Sequence, residues 1–430
     1  MTQASAPRAD ISLLPVLSIN FVGTLGFSIV VPFLVFLVTD WGGNAFIYGL
    51  IGATYSAFQL VGAPMLGRWS DRLGRRKILL LSQLGTLISW LILLGAFFVP
   101  ERTLGRVDSS ALGQFSITLP LVLLFIARAA DGITGGNVSV ANAYLADVTD
   151  EADRPKNFGR MALSGNLGFV LGPALAGLLG ATALGEVLPV VAALLISVVA
   201  TLIILFALED AKPCVLTGDL KPRSLRKVFG QEQKDCVAVQ DPDKGGIVEI
   251  LALTGVPGLL AVYFLVMLGF SFFYIAFPVH AVREFAWSLT DTGTFFAFFS
   301  LVMVVVQGPV LTYASGRLSD GSLAFAGSLI LAMGFFALQS AGTLTVYAAA
   351  TLIALGNGLM WPTIMAMLSN AAGNKHQGAV QGAGGSIGAI ASIFGLIAGG
   401  LLYDALGAWV FVLAAATILP VSVLGMQRKR

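Results

Sequence analysis

Twelve stretches of this 430-residue chain carry almost nothing but apolar side chains, and the polar residues between them come in short clusters. The runs lie near 11–38, 46–67, 78–99, 118–146, 160–181, 187–208, 255–280, 291–315, 322–341, 344–371, 378–403 and 407–425. Each is close to or above the roughly 20 residues an α-helix needs to cross a bilayer. They are continuous, whereas the strands of a membrane β-barrel alternate over about ten residues, so a barrel is excluded. The pattern predicts an all-α integral membrane protein with twelve transmembrane helices, numbered here as spans 1 to 12. The first run is too long for a signal-peptide core and no small-residue cleavage site follows it, so it reads as a retained span 1.

Composition supports this. Hydrophobic residues make up 57% and charged residues only 11%, against about 25% charged in soluble domains, and the mean hydropathy is +0.87. A net charge of +2 gives no reason to expect nucleic acid as a partner; the placement of the charges is what matters. With the N-terminus in the cytoplasm, 21 of the 25 basic residues fall on the inner side, Arg102, Arg106 and Arg283 fall outside, and Arg128 lies within a span. The positive-inside rule then places both termini in the cytoplasm of a multi-pass protein of the cell (inner) membrane. Segment 209–254 holds eight acidic and seven basic residues with several Pro and Gly, the composition of a solvated linker. It divides the chain into an N-terminal six-helix bundle, 1–208, and a C-terminal one, 255–430. Cys214 and Cys236 both fall in that linker; two cysteines make no disulfide framework, and they read as reduced thiols.

Between spans 2 and 3 lies a charged hinge, Gly67-Arg68-Trp69-Ser70-Asp71-Arg72-Leu73-Gly74-Arg75-Arg76-Lys77, with five basic residues in eleven positions. Its opening returns after span 8 as Gly316-Arg317-Leu318-Ser319-Asp320, and Asp131-Gly132 of span 4 is echoed by Asn357-Gly358 of span 10. Span 4 also carries Arg128, Gly135 and Gly136, and span 5 carries Gly168, Gly172, Pro173, Ala176 and Gly177. In this order the hinge, the arginine-glycine stretch and the glycine-proline stretch resemble the signatures of the major facilitator superfamily, over essentially the whole chain. Within it the chain is most similar to the tetracycline and multidrug exporters. Ser70 to Lys77, Gly132-Ile133-Thr134-Gly135 and His376-Gln377-Gly378-Ala379-Val380-Gln381-Gly382 carry that likeness. It departs from tetracycline exporters where they place an acid in span 1, a histidine in span 8 and an acid in span 9; aligned there are Gly23, Met303 and the neighbourhood of Leu331.

The resemblance implies two pseudo-symmetric six-helix bundles working by alternating access around a site near the midplane. It also implies an inner gate built from Gly67, Asp71, Arg72, Gly74, Arg75, Arg76 and Asp147. In that gate Asp71 sits against the positive start of span 11, and Arg75 or Arg72 meets Asp147 at the end of span 4. The alternative is that these charges only fix topology. Beside a bilayer the basic cluster also attracts anionic lipid.

Ionisable residues inside the spans are nearly absent, so Arg128 and Asp131 stand out. They are three apart on one helix, and each costs about 2.5–3.5 kcal/mol at mid-bilayer on insertion scales, which is why such charges usually face a cavity. Burial disfavours the carboxylate and the nearby arginine favours it, so the two effects compete. Either Asp131 exchanges Arg128 for a proton during a cycle, or the two form a permanent structural pair. Amides at Asn20, Gln59, Asn137, Asn166, Gln307 and Asn357, with Phe273 and Tyr274 from the aromatic crowd of spans 7 and 8, are the candidate cavity lining. The alternatives are interhelical hydrogen bonding for the amides and lipid-facing packing for the rings. Gly168, Gly172, Pro173 and Gly177 read as a close-packed pivot in span 5, with glycine-rich span 11 as its mate in the second half. His280 and His376 lie near helix ends and are not read as catalytic.

No HExxH, phosphate loop or cofactor motif occurs, so no cofactor and no metal are expected and an integral membrane enzyme is the remote reading. The leading expectation is a proton-coupled antiporter, monomeric, exporting small hydrophobic or amphipathic compounds. An importer or facilitator of the same fold and a lipid or glycolipid flippase are the alternatives.

Overall fold

The structure, a computed structural model, describes residues 12–135, 137–149, 153–209, 251–340 and 342–426. At Asp71, Arg72, Asn137, residues 372–379, Gln381, Gly382 and a few further positions it describes the backbone alone. Most of segment 209–254, with both cysteines, and Gly136 thus lie outside the described residues, as do the side chains of Asp71, Arg72, Asn137 and His376.

Prolines and glycines set the helix boundaries. Helix α1 (Leu14–Asp40) starts with Pro15 in its first turn, where a missing N–H costs nothing, and the parts on either side of Val31, Leu14–Val30 and Pro32–Asp40, are bent by 41°. An interior proline deletes a backbone hydrogen bond and kinks a helix in this way. Helix α2 (Ala45–Leu73) is capped by Asn44, whose side chain accepts from the Ile47 N–H at 3.1 Å. Gly74 alone separates α2 from α3 (Arg75–Ala96), at φ +99°, a backbone that a side chain would strain. The hinge is therefore a joint of one residue.

Between α3 and the fourth span, where the apolar pattern predicts no element, the chain forms a hairpin of β1 (Thr103–Ser109) and β2 (Gly113–Thr118). The hairpin clips onto the turn between α1 and α2. Ser116 N–H donates to Gly42 O at 2.8 Å, Thr118 Oγ1 to Trp41 O at 2.7 Å, and Asn44 Nδ2 to Leu112 O at 2.8 Å. Apart from this short hairpin the regular elements of the described residues are helical, as the apolar runs predict.

The fourth span is broken at Gly135 into α4 (Leu119–Thr134) and α5 (Asn137–Val148). The next two spans are α6 (Arg154–Gly180) and α7 (Val187–Phe206). The second half opens with α8 (Val256–Phe285). Span 8 was expected as one helix; it is α9 (Leu289–Val305), a π-helical turn at Val306–Val310 holding Pro309, and α10 (Leu311–Ser315). After α11 (Asp320–Ala337), spans 10 and 11 were expected as two helices with a loop at 372–377, but the backbone is helical throughout α12 (Thr343–Leu406). α12 doubles back on itself. A Cβ on Gly384 would stand 3.4 Å from Leu368 Cδ2, whereas sixteen residues of straight helix span about 24 Å. α13 (Trp409–Met426) closes the chain.

Among the described residues ten helical stretches are long and apolar enough to cross a membrane, bent α1 makes an eleventh, and the shorter apolar Trp409–Ser422 occupies the place of the twelfth. Within the first six spans α1 packs on α6, α2 on α4, and α3 on α4 and α7; within the last six α12 packs on α8 and α11, and α13 on α11 and α8. Lipid gives helices little apolar drive to associate, so small residues that let backbones approach carry the assembly. The two halves meet mainly through α2 against α12 and α6 against α9. These contacts gather at the end of the molecule that carries the hairpin: Gly400 is against Ala45, Gly49 against Leu396, and Gly177 against Gly293. At the opposite, hinge end, α5 and α10 pack within their own halves.

Candidate functional site

The site begins with two backbones pressed together. A Cβ on Gly132 of α4 would lie 2.5 Å from Tyr55 O of α2, and one on Gly62 of α2 would lie 2.6 Å from the carbonyl carbon of Ile133. The Thr134 side chain occupies the space over Gly85 of α3, and Ser82 Oγ donates to Thr134 O. With α2 and α3 clamped onto one turn of α4, the preceding residue, Asp131, is held among their side chains.

The Asp131 carboxylate accepts from Thr86 Oγ1 at 2.9 Å through Oδ1 and from Arg128 Nη1 at 3.3 Å through Oδ2. The second contact is single and longer than the 2.7–2.9 Å common in charge-assisted pairs. Arg128 also lies over the Tyr55 ring, 4.4 Å from its centroid, and its buried Nε has no partner. Both side chains are largely buried, at 9% and 15% exposure. Removing one member of a buried pair typically costs about 3–5 kcal/mol, because the other charge is left uncompensated. Here the carboxylate has a second donor in Thr86 and the guanidinium has an aromatic face, so each keeps some support when the other moves.

Asp131 faces a cavity of ≈ 510 Å³ lined by residues of the first six spans. Its polar wall includes Asn20, Gln59, Gln83, Asn142, Asn166 and Ser197; its aromatic wall includes Phe27, Tyr55, Trp90, Phe158 and Phe169. Asn20 donates to Met161 O at 2.8 Å and Ser164 Oγ at 2.9 Å, tying α1 to α6. Gln59 donates to Tyr55 Oη at 3.0 Å and to Gly135 O at 3.1 Å, serving a carbonyl left over where the fourth span breaks. Gln83 donates to Ser197 Oγ at 2.7 Å, leaving its buried Oε1 unpaired.

Of the residues expected to line a cavity, Asn20, Gln59 and Asn166 do so beside Asp131, while the Asn137 side chain lies outside the described residues. Gln307, Asn357, Phe273 and Tyr274 belong to the second half and are not part of this wall. Gln307 sits in the π-helical turn and Asn357 reaches Met303 Sδ at 3.7 Å. Phe273 is fully buried in a ring cluster, 5.5 Å from both Phe277 and Phe335, and Tyr274 packs on Phe270 and Phe296. Sequence reasoning missed Thr86, Gln83 and Trp90. Their signal was available: Gln83 and Thr86 are three apart among the few polar residues of span 3, hence on one face.

At the hinge, the guanidinium of nearly buried Arg75 donates to Asp147 Oδ2 at 2.9 Å through Nε and to Ser70 Oγ at 2.6 Å through Nη1. Arg76 donates to the carbonyls of Ile204 and Leu205 at the end of α7, where a cation meets the negative pole of the helix. These contacts bind α2, α3, α5 and α7 within one half. In span 5, Gly168 and Gly172 receive α1, with Ser28 Oγ donating to Gly168 O at 2.9 Å. The approach to the second half is made by Gly177, next to Gly293 of α9. Its mate is span 8, which corrects the expectation of span 11; span 11 packs on α2 instead.

The sequence model of the Major Facilitator Superfamily matches residues 16–235 and 259–427, most of the chain. The chain belongs to the major facilitator superfamily. Among its relatives are the class C tetracycline resistance protein of Escherichia coli, 28% identical over 90% of this chain and 88% of that one. Another is multidrug resistance protein 2 of Bacillus subtilis (strain 168), 25% identical over 90% and 88%. The fold is shared with the human organic anion transporter MFSD10 (TETRAN), at 21% identity and a TM-score of 0.65 over 98% of this chain and all of that one. It is shared too with a D-xylose-proton symporter, at 13% identity and a TM-score of 0.72 over 96% of both chains. Membership makes the chain a multi-pass membrane transporter of a small molecule rather than an enzyme.

Proposed function

We propose that this superfamily member is a proton-coupled antiporter that exports small hydrophobic or amphipathic compounds by alternating access. The observation that carries the reading is Asp131: a carboxylate in mid-span, open to a cavity, held by one long contact to Arg128 and one hydroxyl. A proton and a cargo can compete for such a group, since protonation removes the charge that Arg128 and a donor on the cargo both seek. The aromatic wall accepts flat apolar bodies and the amides supply orienting contacts. The names of the relatives point the same way, towards export of drug-like molecules.

In this reading both termini lie in the cytoplasm of the cell's inner membrane, bundles 1–208 and 255–430 rock about segment 209–254, and the monomer is the working unit. The hairpin then faces outward, and the halves, joined at that end, describe a carrier closed to the outside.

The test is fluorescent-dye efflux in energised vesicles, with and without a collapsed proton gradient, for the natural chain and Asp131→Asn expressed to the same level. Gradient-dependent efflux lost in the variant is expected. Transport of the same size and pH dependence in Asp131→Asn would remove the coupling role, and uptake in place of efflux would reverse the direction.

A further inference from the structure

At the closed end an ion pair of the second half has a third partner across the seam between the halves. Asp404, at the last turn of α12, accepts from Arg283 Nη1 of α8 at 2.7 Å through Oδ1. Through Oδ2 it accepts from the backbone N–H of Phe46 at 3.3 Å. Arg283 and Asp404 belong to the same half; Phe46 stands in the first turn of α2, in the other.

That first turn has a vacancy for an anion. It contains no acidic residue, and its Asn44 cap takes the Ile47 N–H, so the Phe46 N–H needs an acceptor from elsewhere. The positive pole of α2 favours a carboxylate there. The acceptor arrives with the seam. A Cβ on Gly400, one turn before Asp404, would stand 2.9 Å from the carbonyl carbon of Ala45, and one on Gly49 would stand 3.0 Å from that of Leu396. α12 is thus pressed along α2 backbone to backbone, and any separation of the two helices withdraws the carboxylate. Arg283 follows Asp404, because α8 and α12 are joined beneath it by His280 Nδ1 and Tyr403 Oη at 3.0 Å, with Arg283 itself 5.7 Å from the Tyr403 ring centroid.

We propose that Asp404 is the gate residue of the hairpin end: its carboxylate, carried by the second half, caps α2 of the first when that end is closed and releases it when that end opens. This assigns Asp404 a part in the transport cycle and rests on the alternating-access reading, but not on protons or on the direction of transport.

The experiment measures the gate directly. In full-length chains with Cys214 and Cys236 replaced by serine, spin labels at Leu184→Cys and Leu344→Cys, both exposed near the hairpin end on opposite halves, report the gap by double electron–electron resonance. Asp404→Ala is expected to move the closed-to-open ratio by about two- to fivefold towards a longer distance, the range for a charge at a helix terminus. Arg283→Ala, which spares the bond across the seam, is expected to move it less. Phe46→Pro deletes the donor and leaves Asp404 and Arg283 in place, and proline is tolerated at the second helical position, as at Pro15, Pro120 and Pro257. It is expected to reproduce Asp404→Ala, while Phe46→Ala, which keeps the N–H, does not. Should Asp404→Ala fail to fold, the two Phe46 variants decide alone. The proposal is overturned if neither Asp404→Ala nor Phe46→Pro lengthens the distance, or if Phe46→Ala matches Phe46→Pro. Loss of dye efflux with an intact distance response would sink the export reading and leave the gate standing.

Discussion

Two glycines five residues apart on α2 should respond in opposite directions to the same substitution. At Gly62 an added methyl would overlap the Ile133 carbonyl, standing 2.6 Å from its carbon and 2.8 Å from the Cα; at Gly67 nothing lies within 4 Å. Contact between carbon atoms is comfortable near 3.5–4.0 Å, so Gly62→Ala demands about 1 Å of retreat between two backbones, and a backbone has no rotamer with which to yield. Overpacking of this kind costs about 1–3 kcal/mol. Alanine's better helix propensity returns about 1 kcal/mol at either site, which leaves Gly62→Ala destabilised by about 0–2 kcal/mol and Gly67→Ala stabilised by about 1. The retreat also pulls α4, and with it Asp131, away from α2, so transport should fall further than stability. Thermal unfolding in detergent, followed by intrinsic fluorescence, gives the first comparison, and dye efflux at matched expression gives the second. If Gly62→Ala melts with or above Gly67→Ala and transports normally, the claim that a backbone clamp places the site is wrong.

The hinge and the seam give further tests. Asp147→Ala leaves the Arg75 guanidinium, 5% exposed, with a lost charged acceptor; a drop of about 1–3 kcal/mol in unfolding free energy is expected, and a melting curve unchanged from the natural chain would show that the pair contributes nothing. Gly293→Val puts a branched side chain where a Cβ already lies 2.5 Å from Gly177 Cα. It should force the hairpin end apart, lengthening the same spin-label distance used for Asp404; an unaltered distance would mean that α6 and α9 are free to slide.

The spans were legible because hydrocarbon admits one solution to backbone hydrogen bonding, and an apolar run of sufficient length announces it. Their interruptions were less so. At the break in the fourth span, Gln59 of another helix serves the freed Gly135 carbonyl, and the helical return within α12 brings Leu368 beside Gly384; neither partner is a neighbour in sequence. The hairpin was overlooked because its alternation, Thr103 to Ser109 and Gly113 to Thr118, is short and polar beside the apolar signal around it. At the site, Arg128 and Asp131 were conspicuous through the rarity of charge within the spans. Phe273 and Tyr274 were placed by abundance, and abundance of rings does not say which face of a helix they occupy. Glycine spacing likewise marked span 5 as close-packed without naming its partner, since Gly293 is more than a hundred residues away.

The residues that line the cavity beside Asp131 all belong to the first six spans. In the alternating-access reading proposed above, cargo lodged there would be a passenger of the first six spans, with the last six as a moving shutter. Such a passenger would keep its seat through the turn, meeting the same wall, Thr86, Tyr55 and Trp90 included, at boarding and at departure. In that reading release comes from a change at the seat itself, and Asp131 is the carboxylate among the residues of that wall.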